Sequence, residues 1–322
     1  MSIQGIYNIA TSPISKLEEL AVRKLSPDMK RKIHESFVFD MYSRNYLRYK
    51  FLSCKIKHKF NIIPPEFTVH WITTYNCNFR CEHCEAGAGD KKVSETSTEE
   101  MFTTINDLKN MGIKHIFFSG GEALIRKDIF EVIRFAIDKG MKYSLASNSY
   151  LVKDFHKEFE EMKPHIYFTS IDGLEQTNDK IRRKPGAFKG VFQALEFFKS
   201  IDVNSRIINT VVLPHNIEQL PELRKAIINS AATFWRLAIP NSVGRAKNNE
   251  KMSLNDGQIK YLFDFVEETK KEFLVEISED AGYLGCLSMK LRSVPFFCEA
   301  GLTRCSIMPD GEVYGCQIVY YN

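Results

Sequence analysis

The sequence has no apolar run long enough to cross a membrane and no strong excess of one charge. Its hydrophobic stretches are all shorter than the roughly 20 residues that a membrane-spanning helix needs. The first residues, MSIQGIYNIATSPISKLEEL, lack the charged, apolar and cleavage regions of a secretory signal. The net charge is only +4 over 322 residues. These absences predict a cytoplasmic globular protein that is long enough for one large domain, or for one large and one small domain.

The charge is unevenly distributed along the chain. Residues 22–60 contain eleven Lys or Arg against three Asp or Glu, so this stretch carries +8 and the remainder carries 4 − 8 = −4. Aromatic residues alternate with the basic ones, and the pattern predicts two or three helices between residues 14 and 58. Their basic face either packs on the main domain or binds an acidic peptide or an anionic membrane surface. No nucleic-acid-binding motif accompanies the charge, so nucleic acid is not an expected partner.

Six of the eight cysteines lie in two groups. Cys77, Cys81 and Cys84 form the first group, with the spacing C-x3-C-x2-C, directly after an apolar, β-branched run. In a reducing compartment such groups indicate metal ligands rather than disulfides. A structural zinc site usually needs a second Cys or His pair nearby, whereas the next cysteine, Cys286, is 286 − 84 = 202 residues further on. Three thiolates would instead hold three irons of a cubane iron–sulfur cluster and leave the fourth iron open for a small molecule.

The loop of residues 77–84 resembles the signature of the radical S-adenosylmethionine (SAM) superfamily, C-x3-C-x-aromatic-C, with His83 in the aromatic position. The resemblance extends over about residues 66–316. It implies a [4Fe–4S] cluster whose open iron is chelated by the amino and carboxylate groups of SAM, with His83 packed near the adenine. It also implies that the reduced cluster cleaves SAM to a 5′-deoxyadenosyl radical, with electrons from a low-potential donor such as flavodoxin or ferredoxin.

From residue 67 onward, apolar strand patterns alternate with amphipathic helix patterns. Strands are predicted at residues 68–72, 115–119, 142–146, 166–171, 206–212 and 234–239, and helices at 99–111, 129–139, 153–161, 188–200 and 217–229. This alternation predicts a parallel α/β architecture, which the resemblance specifies as a partial (β/α)6 TIM-like barrel rather than an open doubly wound sheet. The predicted domains are a basic helical N-terminal extension (1–65), the barrel core (66–250), and a linker helix with a small cysteine-rich β-hairpin region (251–322).

A Gly-Gly-Glu sequence, Gly120, Gly121 and Glu122, follows the second predicted strand. The carboxyl ends of the strands are where parallel α/β barrels place their chemistry. Two glycines let the backbone approach a ligand closely, and a carboxylate accepts a charge-assisted hydrogen bond from an ammonium group. The sequence is similar to the G-G-E-P motif of the family, which implies that these three residues bind the amino group of SAM. Ala123 replaces the proline of that motif.

Further cofactor contacts are implied by the resemblance. Asn148 follows the third strand, where the family often has T-N-G, and would lie beside the SAM pocket. Ser170 and Asp172 belong to an S-x-D-G…D-x-x-R…G-x-F pattern of the peptide-modifying branch and would face the ribose and the carboxylate of SAM. Arg182 of this pattern would neutralise a carboxylate, because its guanidinium stays charged; the alternative is a surface ion pair. Leu237, which precedes a G-R-A sequence, would contact the adenine unless it is an ordinary core residue.

Cys298, Cys305 and Cys316 form the second group. A Pro-Asp-Gly turn at residues 309–311 predicts a β-hairpin that brings Cys305 and Cys316 together, an arrangement suited to zinc or to an iron–sulfur cluster. The group resembles the opening of the SPASM/twitch extensions, which implies an auxiliary [4Fe–4S] cluster. Cys286 would be its fourth ligand, a catalytic hydrogen-atom donor to a substrate radical, or a plain buried cysteine. The chain stops 322 − 316 = 6 residues after Cys316, and truncation of a longer protein is expected.

The expected function is that of a radical SAM oxidoreductase acting on a peptide or protein. The SPASM-like cysteines and the S-x-D-G sequence together resemble enzymes of peptide maturation, which implies crosslinking, epimerisation or oxidation. One alternative substrate class is a lipid or a tetrapyrrole-type cofactor precursor. An alternative from another class is a non-catalytic iron–sulfur binding protein, which would have no need of an ammonium-binding loop at residues 120–122.

Overall fold

The computed structural model describes residues 49–50, 52–53, 56, 67–90, 92–247, 249–282, 284, 287–294 and 296–321. Most of the predicted N-terminal helical extension, as well as Cys286, lies outside these residues. The chain divides into two compact units, residues 1–62 with 283–297 and residues 63–282 with 298–322. The first unit contains the short helix Leu287–Leu291. The second unit contains both cysteine groups and all the strands named below.

Nine strands in the described part of the chain form one sheet, with the order β7-β6-β5-β4-β3-β2-β1-β8-β9. Neighbouring strands are parallel, except that β8 and β9 form an antiparallel hairpin. The six strands predicted from the sequence are β1 to β6, and their bounds differ from the prediction by at most one residue. The strands are β1 Thr68–Ile72, β2 His115–Ser119, β3 Lys142–Ala146, β4 Ile166–Ser170, β5 Ser205–Val211, β6 Phe234–Ala238, β7 Val275–Ile277, β8 Arg304–Ile307 and β9 Val313–Tyr314.

Helices connect the parallel strands and have clear start signals in the sequence. Helix α1 begins with a capping box, in which the Ser97 side chain accepts from the Glu100 amide and the Glu100 side chain accepts from the Ser97 amide. None of the described helices has the length and apolar character that a membrane span requires. The helices are α1 Thr98–Asn110, α2 Ile129–Asp138, α3 His156–Glu161, α4 Glu175–Arg182, α5 Ala187–Ser200, α6 Leu220–Ile228, α7 Asp256–Thr269, α8 Leu287–Leu291 and α9 Gln317–Tyr321.

One face of the sheet is covered by helices. Successive side chains of a strand point to opposite faces, and Trp71, Tyr167 and Trp235 on the covered face are fully buried. Phe198 of α5 contacts Tyr167 with 4.0 Å between ring centroids. Phe265 of α7 contacts Trp235 with 5.8 Å between centroids. The hydrophobic core therefore lies between the sheet and these helices.

The opposite face of the sheet is concave. In a flat sheet β1 and β6 would lie five strand spacings, or about 24 Å, apart. Side chains on this face nevertheless form a continuous row. The ring centroids of His70 and Phe117 are 4.7 Å apart, those of Phe117 and Phe168 are 4.8 Å apart, and the Arg236 guanidinium lies 5.8 Å from the Phe168 centroid. The sheet therefore curls around this row. We call His70, Phe117, Phe168 and Arg236 the concave-face row.

The predicted C-terminal hairpin is present and extends the sheet beyond β1. Strand β8 lies parallel to β1, with Cys305 opposite Val69, and β9 folds back on β8, with Tyr314 opposite Ser306. Because Cys305 precedes Ser306 and Cys316 lies two residues beyond Tyr314, both cysteines are at the same end of the hairpin. The domain boundary expected at residue 250 stays a prediction, although three strands after it belong to the same sheet.

Candidate functional site

The first cysteine group lies in the loop that follows β1. The Phe79 amide donates a hydrogen bond to the Cys77 sulfur at 3.4 Å, and the Cys81 sulfur lies 4.0 Å from the carbonyl oxygen of Arg182. The Phe79 ring is buried and packs edge-on against Tyr150, with 5.8 Å between centroids. The loop is therefore anchored to the barrel by an aromatic side chain between its cysteines.

Arg80 holds the beginning and the end of this loop together. Its guanidinium donates to the carbonyl oxygens of Cys77 at 2.7 Å, Phe79 at 2.9 Å and Gly89 at 2.8 Å. These bonds use most of the donors of one guanidinium on backbone acceptors. The contacts fix the loop backbone while leaving the sulfur atoms free to bind metal.

The G-R-A sequence at residues 244–246 supports the same loop from the far side of the barrel. The Arg245 guanidinium donates to the Cys81 carbonyl at 2.7 Å and to the Ala88 carbonyl at 3.0 Å, and the Arg245 amide donates to the Cys84 carbonyl at 3.0 Å. Gly244 has a φ of +58°, and a Cβ there would meet the Cys84 carbonyl oxygen at 2.4 Å. Sequence reasoning recognised this motif but not its contact with the cysteine loop, because arginine–carbonyl contacts leave no local sequence signal.

The two glycines after β2 pack against the segment that leads into the cysteine loop. The Gly121 amide donates to the Thr74 carbonyl at 2.8 Å, and the Glu122 amide donates to the Asn76 carbonyl at 2.9 Å. A Cβ on Gly120 would lie 2.6 Å from the Thr74 oxygen, and one on Gly121 would lie 2.3 Å from the Asn76 oxygen. Both positions therefore need glycine for this approach. Their predicted contact with the amino group of SAM stays a prediction.

Glu122 and Asn148 link the ends of three neighbouring strands. The buried Glu122 carboxylate accepts from the Leu124 amide at 3.2 Å and from the Asn148 amide at 2.8 Å. The Asn148 side chain donates to Asn78 of the cysteine loop at 2.6 Å. Burial raises the pKa of Glu122 to about 7, although the two amides oppose this rise. The predicted amino-binding carboxylate and Asn148 are thus brought together beside the cysteines.

Asp172 and Arg182 form a buried ion pair rather than a surface one. Arg182 Nη2 lies 2.7 Å from Asp172 Oδ2, and both side chains are buried. The other Asp172 oxygen accepts from the Val211 amide at 2.9 Å, and His83 Nε2 is 3.4 Å from the carboxylate. Burial opposes the charge of Arg182, but Asp172 and the Cys81 thiol raise its pKa. Burial lowers the pKa of His83, so its imidazole is neutral at neutral pH. Because His83 belongs to the cysteine loop and lies beside Asp172, the ion pair is next to that loop.

Ser170 and Leu237 lie on different faces of the sheet. Ser170 ends β4, partly buried, on the concave face that Phe168 also occupies. Leu237 is fully buried on the covered face, with Trp235, which packs against α7. The Leu237 side chain therefore lies in the hydrophobic core, and the adenine contact expected of it stays a prediction.

The thiols and the polar groups around them fit a cluster with SAM bound to it. Burial raises the pKa of Cys77 to about 12, and Cys81 and Cys84 are close enough to add to the rise. Such thiols hold their protons until a metal displaces them. Two buried atoms beside the loop, His83 Nδ1 and Arg182 Nε, have no hydrogen-bond partner among the described residues, and buried polar atoms normally have one. They are available to a bound ligand.

A single-ion site is not found in the described part of the chain. There, no three His, Cys, Asp or Glu side chains surround one point closely enough to bind one metal ion. A zinc site needs its ligands on one ion, whereas each thiolate of a [4Fe–4S] cluster binds its own iron.

The second cysteine group is accessible. Cys298 is exposed and Cys305 and Cys316 are partly buried, all as free thiols. Burial raises the pKa of Cys305 to about 11. Cys286 lies outside the described residues, so its expected roles as fourth ligand or hydrogen-atom donor stay predictions, as does the auxiliary cluster.

Comparison with known proteins gives a family match for the part of the chain that holds the first cysteine group. The profile of the radical SAM superfamily matches residues 71–227. The Fe-coproporphyrin III synthase of Methanosarcina barkeri is 39% identical over 129 residues, which are 39% of this chain and 32% of that protein. The mycofactocin maturase MftC of Mycolicibacterium smegmatis is 26% identical over 261 residues, which are 78% of this chain and 64% of that protein. The chain thus spans less than two thirds of the length of either relative.

Solved structures show the same fold. The structure of Streptococcus suis SuiB bound to S-adenosylmethionine has a TM-score of 0.63 at 18% identity. The match covers 81% of this chain and 63% of the SuiB chain. SuiB bound to the precursor peptide SuiA gives a TM-score of 0.64 at 16% identity, over 83% of this chain and 63% of the SuiB chain. The partial-barrel prediction is thereby confirmed. Residues 71–227 are a radical SAM domain, a family that implies a [4Fe–4S] cluster and SAM as cofactors.

Proposed function

We propose that the protein cleaves SAM reductively and abstracts a hydrogen atom from an organic substrate. The observation that carries the proposal is the convergence of three thiols with a buried carboxylate. The cysteine loop follows β1, Glu122 follows β2 and Asn148 follows β3, and hydrogen bonds join Asn148 to both of the others. A non-catalytic iron–sulfur protein would need the thiols but would gain nothing from burying Glu122 beside them, since burial disfavours its charge.

The residues of the site would divide the work between metal and cofactor. When bound, the cluster and SAM supply the reductive cleavage of a sulfonium to methionine and a 5′-deoxyadenosyl radical. Cys77, Cys81 and Cys84 would each hold one iron. Glu122 retains lone pairs beyond those used by the two amides, so it would orient an ammonium group. Arg182 Nε, a buried donor without a partner among the described residues, would bind a carboxylate oxygen.

We propose a peptide or protein as the substrate, with crosslinking, epimerisation or oxidation as the modification. Two similarities support this class. A maturase, MftC, aligns with 78% of the chain, and SuiB, which shares the fold, is seen bound to a precursor peptide. Electrons would come from a low-potential donor such as flavodoxin or ferredoxin in the reducing cytoplasm. The basic stretch 22–60 would bind an acidic part of a partner or an anionic membrane surface.

A tetrapyrrole precursor is the second candidate substrate. The relative with 39% identity is an Fe-coproporphyrin III synthase, and another, at 31% identity over 181 residues, is an AdoMet-dependent heme synthase. The concave-face row of aromatic rings ending in Arg236 would suit a planar molecule that carries acidic groups. This alternative keeps the same radical chemistry and changes only the substrate from which the hydrogen atom is taken.

Reductive cleavage of SAM by the purified protein tests the proposal. After anaerobic reconstitution with iron and sulfide and reduction, the wild type should release 5′-deoxyadenosine and methionine, both measured by mass spectrometry. Replacing Cys77, Cys81 and Cys84 together by alanine should abolish release and remove about four irons per chain. Circular dichroism should show that the triple variant keeps its secondary structure. Cleavage that persists in this variant would refute the assignment of these three ligands.

A further inference from the structure

Arg236 is a partly buried cation on the concave face, and no described residue is its ionic partner. Its guanidinium lies 5.8 Å from the centre of the Phe168 ring, and it forms no ion pair with any described residue. Glu276 is its register neighbour on β7, but Glu276 has an interaction of its own and forms no ion pair with Arg236. A charge taken partly out of water is costly unless an opposite charge or hydrogen bonds compensate it. No described carboxylate is paired with Arg236, so its guanidinium is available to an anion that a ligand supplies.

The other arginine near this row is already neutralised. Arg304 of β8 lies close enough to His70 to lower the pKa of that imidazole. Its guanidinium is paired with Glu279 at 3.1 Å and with Glu299 at 3.4 Å. Of these two cations, Arg236 is the one available to a ligand.

The rest of the row is aromatic and uncharged. Phe117 and Phe168 meet edge to face across β3, where the residues on this face, Ser144 and Ala146, are small enough to let the rings touch. Burial and the nearby positive charges lower the pKa of His70 to about 3, so the imidazole is neutral at physiological pH. The row therefore presents apolar ring surface with one positive charge at its end.

Arg236 lies level with the predicted cofactor residues. Strand pairing places it beside Asn209 of β5, and Asn209 beside Ser170 of β4. Ser170 is a residue expected to face SAM. The Asn209 side chain has no hydrogen-bond partner among the described residues and would offer an amide next to the guanidinium. An anion held at Arg236 would thus lie at the height of the strands where hydrogen abstraction is proposed.

We infer that Arg236 binds a carboxylate of the substrate, with Phe168 and Phe117 contacting the apolar or planar part next to it. Arginine suits this role because its planar fork matches a carboxylate with two parallel hydrogen bonds. The inference rests on the proposed function in that it names the chemistry of the substrate for the same site. The carboxylate would come from a tetrapyrrole propionate or from an acidic peptide, and both sources share the contact with Arg236.

Two probe pairs test the carboxylate and distinguish its sources. Coproporphyrin III is compared with its tetramethyl ester, and an amidated hexapeptide of alternating Phe and Asp is compared with its Phe and Asn counterpart. Binding to the reconstituted wild type is measured by fluorescence quenching or calorimetry. At least one acid should bind about tenfold more tightly than its neutral partner. A preference in the first pair indicates a tetrapyrrole, and one in the second pair indicates a peptide.

Variants assign the preference to Arg236. Arg236→Met should abolish it, and Arg236→Lys should keep part of it, since lysine retains the charge but not the fork. Arg134→Met, at an exposed arginine paired with Glu161, is the matched control and should bind as the wild type does. Thermal unfolding checks that each variant is folded.

Two results would overturn the inference, and they are separable from failure of the proposed function. Equal binding of acid and neutral partner in both pairs would show that no carboxylate is recognised. A preference that survives in Arg236→Met would place the recognition elsewhere. Wild-type protein that discriminates the probes but does not cleave SAM would refute the proposed function alone. Cleavage of SAM without discrimination would refute the assignment of Arg236 alone.

Discussion

Replacing Gly244 by alanine tests whether the close approach of residues 244–246 is needed to hold the metal site. Gly244 has a φ of +58°, and an added Cβ would lie 2.1 Å from the Glu85 carbonyl oxygen and 2.4 Å from that of Cys84. The left-handed backbone alone costs an alanine about 1 kcal/mol. Carbon and oxygen normally approach to about 3.3 Å, so the loop must move by about 1 Å. Overpacking of this kind costs about 1–3 kcal/mol more.

The matched control is Gly112→Ala. Gly112 has a φ of +83°, but an added Cβ would meet no atom within 4 Å, so only the backbone cost of about 1 kcal/mol remains. Urea titrations should therefore give a loss of about 2–4 kcal/mol in the unfolding free energy for Gly244→Ala and about 1 kcal/mol for Gly112→Ala. Iron per chain after reconstitution should fall in Gly244→Ala and stay at the wild-type level in the control. Equal losses in both variants, with full iron in Gly244→Ala, would refute this reasoning.

Three further predictions follow from other contacts. Asp172→Asn and Arg182→Met should each lower the free energy of unfolding by about 3–5 kcal/mol, because each leaves a buried charge without its partner, and the double variant should lose less than the sum of the two. Additive losses in urea titrations would argue against a direct ion pair. Arg245→Met should lower iron per chain by removing the side-chain hydrogen bonds to the Cys81 and Ala88 carbonyls, whereas the exposed Arg134→Met should not; equal iron contents would contradict this role. The pKa of His70 is lowered to about 3 in the folded protein, so between about pH 7 and 5.5 this imidazole becomes protonated in the unfolded chain but stays neutral in the folded one. The free energy of unfolding of the wild type should therefore fall by about 1 kcal/mol more over that interval than that of His70→Phe. Identical pH slopes in urea titrations would show that His70 is not held neutral.

The strands and the cysteine loop could be predicted because their signals are local. In β1, with the sequence TVHWI, and in β2, with HIFFS, apolar residues recur at the period of a strand. The cysteine loop was predictable because three ligands of one cluster must lie close together, and the short spacing of Cys77, Cys81 and Cys84 shows this directly in the sequence. Glu122 was predictable as a carboxylate at a strand end, although its pairing with the Asn148 amide was not.

The features that escaped prediction depend on contacts between distant parts of the chain. Helix α4, EQTNDKIR, carries Arg182 but has only one apolar residue, so no helical periodicity marks it. Strand β7 has three residues, too few for a pattern. The side of the sheet on which Leu237 lies depends on the register of β6. The position of β8 beside β1 joins residues more than two hundred positions apart, and local sequence does not encode that pairing.

The pairing of β8 with β1 has a consequence for solubility. Strand β1 is hydrogen-bonded on both sides, to β2 and to β8, and the Thr68 amide donates to the Thr303 carbonyl at 3.0 Å. A chain that lacked residues 298–316 would leave one side of β1 unpaired, next to the fully buried side chains of Val69 and Trp71. Open edges with apolar side chains recruit other chains. The hairpin that carries Cys305 therefore also shields the strand from which the cysteine loop emerges against self-association.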